Sequence, residues 1–396
     1  MATIGKIIAR EILDSRGDPT VEVELELDNS VKTIASVPSG ASVGSFEVVE
    51  LRDGDEGRYG GKGVLKALES INTTIAPAII GQDIENQAEM DKTLSELDGT
   101  EHKSKLGANA ILAVSIAICK AQAITKKMHL YEYISELSGF KATFMPRPMF
   151  NFIEGAKHAD NNLEIQEFMV IPMKKTFKEN YQVASERFHK LGTTLKDRKL
   201  GVAVGHEGGF APNLESDEQA LQLLSELEGI RIGLDMAGVI PKGMVIDDIL
   251  VKYPIVTLED PYSEDDWQNW TDLMKKYSKN ILVIGDDLLA TNSKRLEEAI
   301  TKESVNAVIV KPNQIGTVTD AIVFAKLAKS NNMKLVVSHR SGETEDSFIS
   351  DFAVGVAAEY VKFGAPSRGE RVSKYNRLLR IEEGLFSSEK NSTDNS

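Results

Sequence analysis

Cysteine is nearly absent from this chain of 396 residues, in which Cys119 is the only one. A single thiol cannot form an intramolecular disulfide, so the cysteine content gives no indication of an oxidising compartment. The N-terminal segment MATIGKIIAREILDSRG also lacks the uninterrupted apolar core of a signal peptide. We therefore expect a cytoplasmic protein.

Positive charge is scarce as well. The sequence has 46 Lys and Arg residues against 60 Asp and Glu residues, which gives a formal net charge of -14. Non-specific binding to nucleic acids or to anionic membranes needs clustered positive charge, so neither partner is expected. Such a protein can bind an anionic ligand only through locally placed cations or metal ions.

Long apolar runs are missing too. The most apolar segment, residues 106–119, has 14 residues without charge and is followed by Lys120. A helix needs about 20 predominantly apolar residues to cross a bilayer. We predict a buried core helix here instead.

Residues 1–134 mix strand and helix patterns. Residues 20–27 alternate apolar and polar side chains, as a half-buried strand does, and residues 31–37 can pair with them across a turn. Residues 62–80 and 106–128 have helical spacing of their apolar side chains. This part of the chain is predicted to be an α+β domain.

In residues 142–390, short β-rich runs alternate with helical stretches. This alternation is typical of parallel strands with crossover helices, and about eight units in roughly 250 residues indicate a (β/α)8 barrel. A ninth run, at residues 360–363, leaves the strand count open. The other eight runs are residues 148–153, 165–171, 201–205, 230–234, 254–258, 281–285, 305–310 and 335–338.

Three of these runs lead into a carboxylate, at Asp235, Glu259 and Asp286. The carboxyl ends of barrel strands meet at one rim, so these acids are expected to converge although they are far apart in sequence. An all-oxygen ligand set of this kind suits Mg²⁺. A single acid after a strand more often caps the following helix, but three in succession favour a metal site.

Other strand ends carry a possible base and a possible acid. Lys311 ends one run, Glu207 follows another, and His339 and Arg340 follow a third. A lysine in a low-dielectric pocket with cations nearby has a lowered pKa and can act as a base, although a lone lysine more often extends to solvent. Glu207 can then protonate a leaving hydroxyl. The strand ends therefore predict metal-assisted β-elimination of water.

Two competing motifs are weaker. The segment GASVG at residues 40–44 fits the nucleophile elbow of hydrolases, but that motif needs a helix directly after the serine, and SFEVVELRDG lacks a sustained helical pattern. The segment at residues 206–210 differs from the zinc motif H-E-x-x-H, because Phe210 stands in place of the second histidine. Neither motif favours a different chemistry.

Ten segments, several of them long and specific, are distributed between the N-terminus and about residue 385. They are REILDSRGDPTVEVE, PSGASVG, YGGKGV, QEFMVIP, VGHEGGFAPNL, EDPYSEDDW, GDDLLATN, VKPNQIGT, VSHRSGETED and RLLRIEEGL. These segments resemble the enolase family, and the resemblance covers most of the chain.

The resemblance implies a modified (β/α)8 barrel whose second strand is antiparallel, capped by the N-terminal α+β domain. It implies a Mg²⁺-dependent lyase of glycolysis and gluconeogenesis that reversibly dehydrates 2-phosphoglycerate to phosphoenolpyruvate. Two Mg²⁺ ions per active site are implied, the second arriving with the substrate. A homodimer or a higher homo-oligomer is also implied.

The resemblance also assigns roles to individual residues. Lys311 would remove the C2 proton and Glu207 would protonate the C3 hydroxyl, at a site where Lys or His bases are combined with Mg²⁺. Asp235, Glu259 and Asp286 would hold the first Mg²⁺ and Ser42 the second. Residues implied to contact the substrate are His158, Gln166, Glu167, Glu259, Asp286, Lys311, Arg340 and Ser341 (the last two at the phosphate), with Lys362 on the carboxylate side.

The sequence departs from the family near the chemistry. His206 stands where Asp is usual, and the loop before His158 reads EGAK where paired glycines are usual. The segment after Asp235 is shorter than usual, and Asp18 stands where Asn is usual. Two alternatives remain open. One is a superfamily enzyme acting on a different carboxylate, which the SHRSGETED and SGAS segments oppose. The other is a catalytically weak homologue with a binding or structural role.

Overall fold

The structure is a computed structural model that describes residues 2–40, 44 and 46–393, with side chains described as far as residue 385. Ser42 lies outside the described residues. The described chain forms a three-stranded sheet with its own helices, followed by a closed barrel of eight strands. An α/β fold with an α+β cap on a modified barrel is therefore confirmed.

The sheet and its helices occupy the first third of the chain. β2 buries Val21, Val23 and Leu25 on one face while its glutamates stay partly exposed, so its alternation places a core beneath the sheet. The predicted β2–β3 hairpin is confirmed, whereas β1 was not predicted. The elements are β1 (Ile4–Leu13), β2 (Pro19–Leu27), β3 (Lys32–Ser36), α1 (Leu65–Ser70), α2 (Ala76–Ile79), α3 (Gln87–Asp98), α4 (Ala108–Thr125) and α5 (Leu130–Ser138).

The apolar helix α4 is the core of this region. By length and composition its 18 residues could cross a membrane, but 83% of them are buried inside the protein. It packs against β2 and β3, and the Thr33 hydroxyl donates a hydrogen bond of 2.9 Å to the carbonyl oxygen of Ala117. The helix is thus a core helix, as predicted.

The barrel has the strand order β10-β11-β4-β5-β6-β7-β8-β9. Its elements are β4 (Arg147–Glu154), β5 (Glu167–Pro172), α6 (Phe177–Asp197), α7 (Asp217–Ser225), β6 (Ile230–Asp235), α8 (Ile246–Lys252), β7 (Ile255–Glu259), α9 (Trp267–Tyr277), β8 (Leu282–Gly285), α10 (Ser293–Lys302), β9 (Ala307–Val310), α11 (Val318–Ser330), β10 (Lys334–Ser338), α12 (Phe348–Gly355), β11 (Tyr360–Lys362) and α13 (Gly369–Thr393).

Strand β5 is antiparallel to both of its neighbours, β4 and β6, whereas the other barrel pairs are parallel. The expected antiparallel second strand is therefore present. Because β5 runs the other way, its first residue, Glu167, lies beside Asp235 at the end of β6. Glu167 consequently reaches the rim where the other strands end.

The prediction of a barrel strand at residues 201–205 is wrong. β5 pairs directly with β6 from Glu167 to Pro172, so the ladder has no place for another strand between them. The segment GVAVGHEGG instead forms a glycine-rich turn with one isolated bridge between Val204 and Phe210. The ninth run, β11, closes the barrel in its place.

Asp346, in the loop between β10 and α12, ties the sheet to the barrel. Its carboxylate accepts hydrogen bonds from the backbone N–H of Ser36 on β3 at 3.0 Å and of Phe348 at 2.9 Å. The Lys120 ammonium of α4 donates to both carboxylate oxygens, at 2.8 and 2.7 Å. Burial alone would raise the pKa of Asp346, but Lys120 lowers it below its usual value.

We expect Asp346→Asn to lower the free energy of unfolding by about 3–5 kcal/mol, because the substitution leaves the Lys120 charge without its carboxylate. The contribution of Asp346 is present above its unfolded pKa of about 3.9 and is lost as the pH falls through its lowered folded pKa. Urea unfolding followed by circular dichroism should therefore show a difference that shrinks on acidification.

Glu96→Gln is the control, because Glu96 pairs with Lys92 at 3.7 Å on an exposed face of α3 and such pairs contribute little. Equal stability of Asp346→Asn and the wild type at neutral pH would contradict the importance of this tie.

Candidate active site

A cavity opens at the rim where the barrel strands end. It brings together ten of the predicted site residues from both halves of the sequence. Glu259 is buried beside it, at 0% exposure. The predicted residues that line the cavity are His158, Gln166, Glu167, Glu207, Asp235, Asp286, Lys311, Arg340, Ser341 and Lys362.

Lys362, at the end of β11, lies among three carboxylates. Its Nζ is 2.7 Å from Glu259 Oε1, 3.2 Å from Glu167 Oε2 and 3.3 Å from Asp235 Oδ2. Burial alone would lower the pKa of Lys362, but Glu167, Glu259 and Asp235 raise it well above its usual value. Lys362 is therefore a permanent cation that joins the ends of β5, β6 and β7.

Lys311, directly after β9, pairs with Asp286, directly after β8. The Lys311 ammonium contacts Asp286 Oδ2, and its backbone N–H donates to the Thr291 hydroxyl at 3.0 Å. Burial lowers the pKa of Lys311, but the Asp286 carboxylate outweighs burial and the pKa is raised. The predicted lowered pKa is therefore wrong for the ligand-free site, because Asp286 stabilises the ammonium.

Glu207 is surrounded by hydrogen-bond donors. Asn151 Nδ2 donates to Oε2 at 2.6 Å, and the Ser341 hydroxyl donates to Oε1 at 3.1 Å. The ring nitrogens of His339 and His158 lie 2.9 and 3.7 Å from the carboxylate. Burial alone would raise the pKa of Glu207, but His158 and His339 lower it well below its usual value. Glu207 is a carboxylate in this state.

The tautomer of His339 follows from its other neighbour. Arg371 Nη1 lies 2.6 Å from His339 Nδ1, and a guanidinium can only donate. Nδ1 is therefore the acceptor and the ring proton is on Nε2, towards Glu207. Burial lowers the pKa of His339 to about 3, which keeps the ring neutral.

Arg340 is held by an acid from the N-terminal region. Its Nη1 donates to Glu47 Oε2 at 2.8 Å and to Asn313 Oδ1 at 3.1 Å, and its Nη2 donates to Glu47 Oε1 at 3.3 Å. Glu47 lies in the segment that follows β3, so both halves of the chain build the cavity.

Sequence reasoning assigned no role to Glu47, Asn151, His339 or Arg371. For His339 a signal was available, because it directly follows a predicted strand. Asn151 lies inside β4 and Arg371 inside α13. Neither residue follows the end of a predicted strand, so the sequence pattern did not mark them.

His206 does not follow the alternation expected of a strand, because it lies in the glycine-rich turn. Its side chain is exposed, with a ring centroid 6.4 Å from that of His158. It therefore faces solvent near the cavity and not the layer of helices.

The acids of the cavity are compatible with a divalent cation. Glu259 Oε2 and Asp286 Oδ1 are buried without a hydrogen-bond partner among the described residues, which is unusual for carboxylate oxygens. Asp260, Asp286 and Asp287 each offer an oxygen within 4.8 Å of the others. Carboxylate oxygens are the ligands that Mg²⁺ prefers.

The alternative that the three strand-end acids cap helices does not hold. The residues at the N-caps of α8, α9 and α10 are Val245, Asp266 and Asn292. Asp235 and Glu259 instead face Lys362, and Asp286 faces Lys311. Lys362 and Lys311 therefore form ion pairs with the carboxylates that were predicted to hold a metal ion.

Comparison with known families gives two matches. The family model described as "Enolase, N-terminal domain" matches residues 4–134. The one described as "Enolase, C-terminal TIM barrel domain" matches residues 142–238 and 243–395. Together the matches cover nearly the whole chain and leave two short internal gaps, at residues 135–141 and 239–242.

We expect Lys362→Met to lower the free energy of unfolding by about 3 kcal/mol or more in the presence of a chelator, because Glu167, Asp235 and Glu259 lose their shared cation. Excess Mg²⁺ should restore part of this loss, so the melting temperature should respond more strongly to Mg²⁺ than that of the wild type. Thermal unfolding with a chelator and with Mg²⁺ measures both effects.

Lys374→Met is the matched control. Lys374 is fully buried and lies 3.0 Å from the single carboxylate of Glu343. Its loss should destabilise the protein without a larger response to Mg²⁺. A Lys362→Met variant that responds to Mg²⁺ no more than Lys374→Met would contradict a cation site at these carboxylates.

Proposed function

Because this chain belongs to the enolase superfamily, we propose that it is a Mg²⁺-dependent hydro-lyase that reversibly dehydrates 2-phosphoglycerate to phosphoenolpyruvate. The observation that carries the proposal is the content of one cavity. Lys311, Glu207, an acidic ligand set and Arg340 all line it, although they come from distant parts of the chain. These are the groups that elimination of water from a phosphorylated hydroxy acid requires.

In this proposal Lys311 is the base that removes the C2 proton. A base must first be neutral, and in the ligand-free site Asp286 favours the ammonium. If Asp286 turns to a metal ion, Lys311 loses its partner and burial then favours the neutral amine. The same movement that would load the cation site would therefore prepare the base.

Glu207 is proposed as the acid that protonates the departing C3 hydroxyl. It must gain a proton to do so. Before the substrate binds, hydrogen bonds donated by Ser341 and Asn151 stabilise the charged form of Glu207. An anionic substrate beside Glu207 raises its pKa by like-charge repulsion, and transfer of Ser341 to the phosphate would remove one donor. Acid–base pairs of this kind contribute about 10²–10⁴-fold to rate.

The carboxylates of Asp235, Glu259 and Asp286 would hold the first Mg²⁺, and Ser42 would take part in binding a second that arrives with the substrate. A bound Mg²⁺ would neutralise charge that develops on the substrate carboxylate. Lys362 adds a fixed positive charge on the same side.

Arg340 and Ser341 are proposed to bind the phosphate, and His158, Gln166 and Glu167 to contact the rest of the substrate. In the ligand-free site Glu47 occupies the guanidinium of Arg340 through two contacts. A phosphate has the same bidentate geometry as a carboxylate, so it can replace Glu47 there.

We also propose that the reaction serves glycolysis and gluconeogenesis in the cytoplasm and that the chain forms a homodimer or a larger homo-oligomer. The main alternative is a catalytically weak homologue, which the departures around His158 and His206 favour. The other alternative is a superfamily enzyme that acts on a different carboxylate substrate.

One assay separates these three functions. A Mg²⁺-dependent rise in ultraviolet absorbance when 2-phosphoglycerate is added, from the enol phosphate formed, supports the proposal. Turnover of other hydroxy acids but not of this one would favour the different enzyme, and no turnover of either would favour the binding protein.

We expect Asp286→Asn to abolish Mg²⁺-dependent activity while leaving the fold intact, because a divalent ion needs ionised oxygen ligands. Activity is measured over a range of Mg²⁺ concentrations. Asp272→Asn, on an exposed face of α9, is the control and should behave as the wild type. Wild-type activity of Asp286→Asn at limiting Mg²⁺ would refute the assignment.

We expect Lys311→Ala and Glu207→Gln to affect different steps. Lys311→Ala should stop exchange of the C2 proton with deuterium from solvent, because the base is gone. Glu207→Gln should allow exchange but lower the dehydration rate by about 10²–10⁴-fold. Proton nuclear magnetic resonance of the substrate measures exchange, and the opposite result would mean that the two roles are reversed.

A further inference from the structure

The acid Glu207 lies on a turn and not on a barrel strand. The turn is closed by a hydrogen bond of 2.9 Å from the Gly205 N–H to the Gly209 carbonyl oxygen. The His206 N–H donates to the carbonyl oxygen of His158 at 2.9 Å. A strand-end residue is fixed by the ladder on both sides, whereas Glu207 depends on what supports this turn.

One support is the side chain of Glu154, the last residue of β4, which is 0% exposed. The turn also accepts hydrogen bonds at three of its carbonyl oxygens, from the Ala365 N–H at 3.0 Å, Arg371 Nη2 at 3.1 Å and Arg368 Nη1 at 3.2 Å. Its Oε2 accepts a hydrogen bond from the backbone N–H of Glu207 at 3.1 Å. Its Oε1 accepts one from the backbone N–H of Gly209 at 2.5 Å. One buried carboxylate therefore binds two backbone donors of the turn that carries the acid.

The glycines of the turn fit this carboxylate closely. A Cβ on Gly205 would lie 2.2 Å from Glu154 Oε2 and 2.6 Å from the carbonyl oxygen of His158. A Cβ on Gly209 would lie 2.9 Å from Glu154 Oε1. Side chains at these two positions would push the turn away from Glu154, so the glycines and the glutamate belong to one arrangement.

We propose that Glu154 is a positioning residue that holds the proposed acid Glu207 at the reacting centre by binding the two N–H groups of its turn. The inference rests on the proposed function. Burial and the neighbouring Glu207 raise the pKa of Glu154, and its two N–H donors oppose that rise because they favour the ionised form.

The chemistry of the contact determines the choice of variants. In Glu154→Gln one oxygen still accepts, but the amide NH₂ faces a backbone N–H and that contact is lost. Glu154→Ala loses both contacts. A small displacement of a catalytic group costs about 10²-fold in rate, so we expect dehydration to fall about 10- to 100-fold in Glu154→Gln.

Glu382 provides a matched control far from the cavity. It is a buried glutamate whose two oxygens accept from the backbone N–H groups of Phe177 and Lys178, at 2.6 and 2.9 Å. Glu382→Gln therefore makes the same chemical change in the same type of contact, at the start of α6. It should change the ratio of dehydration to exchange by little.

The test measures dehydration of 2-phosphoglycerate and exchange of its C2 proton for the wild type, Glu154→Gln and Glu382→Gln. We expect Glu154→Gln to lose dehydration while keeping exchange, because Lys311 is supported by β9 and not by this turn. Equal loss of both rates, or no loss of either, would overturn the positioning role.

Hydrogen exchange of the backbone amides of Glu207 and Gly209 gives a readout independent of activity. Both amides should be protected in the wild type, whereas one of them should lose protection in Glu154→Gln and both should lose it in Glu154→Ala if that variant folds. Unchanged protection in Glu154→Gln would overturn the inference. A wild type with neither dehydration nor exchange would refute the proposed function, and amide protection would then decide alone whether Glu154 holds the turn.

Discussion

The position of the Lys362 ammonium among Glu167, Asp235 and Glu259 is the interaction on which the rest of the cavity depends. Several ionisable acids face one buried space, and a buried carboxylate without a partner costs several kcal/mol. Lys362 lies within 3.3 Å of an oxygen of three of them, and Lys311 pairs with Asp286. Without these cations the ends of four barrel strands would repel one another.

Because every cation already has an acid, binding must proceed by exchange of partners. Under the proposed function, phosphate takes Arg340 from Glu47, and a divalent ion takes Asp286 from Lys311. Each exchange separates one buried pair and forms a new contact with the ligand. The raised pKa of Lys311 in the ligand-free site is then a property of the resting pair and is compatible with a basic role.

The sequence predicts the groups that follow a strand better than the groups that support them. Asp235, Glu259 and Lys311 could be placed at one rim, because apolar runs mark buried strands and all parallel strands end on the same side. The segment GVAVG was wrongly predicted to be a barrel strand because its pattern fits one. The direct pairing of β5 with β6 excludes a strand between them. Such pairing is non-local, so a single segment cannot reveal it.

The same limit explains why Glu47, Glu154 and Arg371 were missed. Their roles come from contacts with backbone or side chains far away in sequence, and no spacing rule marks them. The pKa of Lys311 was predicted with the wrong sign for a related reason: burial could be inferred from the sequence, but direct contact with Asp286 could not.

Two of the departures from the family, His206 and the loop before His158, lie around the turn that carries Glu207. Groups at strand ends are fixed by ladders on both sides, so one of them cannot move without its neighbours. Glu207 instead rests on a turn held by the side chain of Glu154, with His206 exposed beside it. Glu154 therefore contacts the turn of the proposed acid without altering the barrel ladder. A change of rate or of pH dependence in this fold can arise at that turn, while the acidic rim and Lys311 keep the arrangement that their charges require.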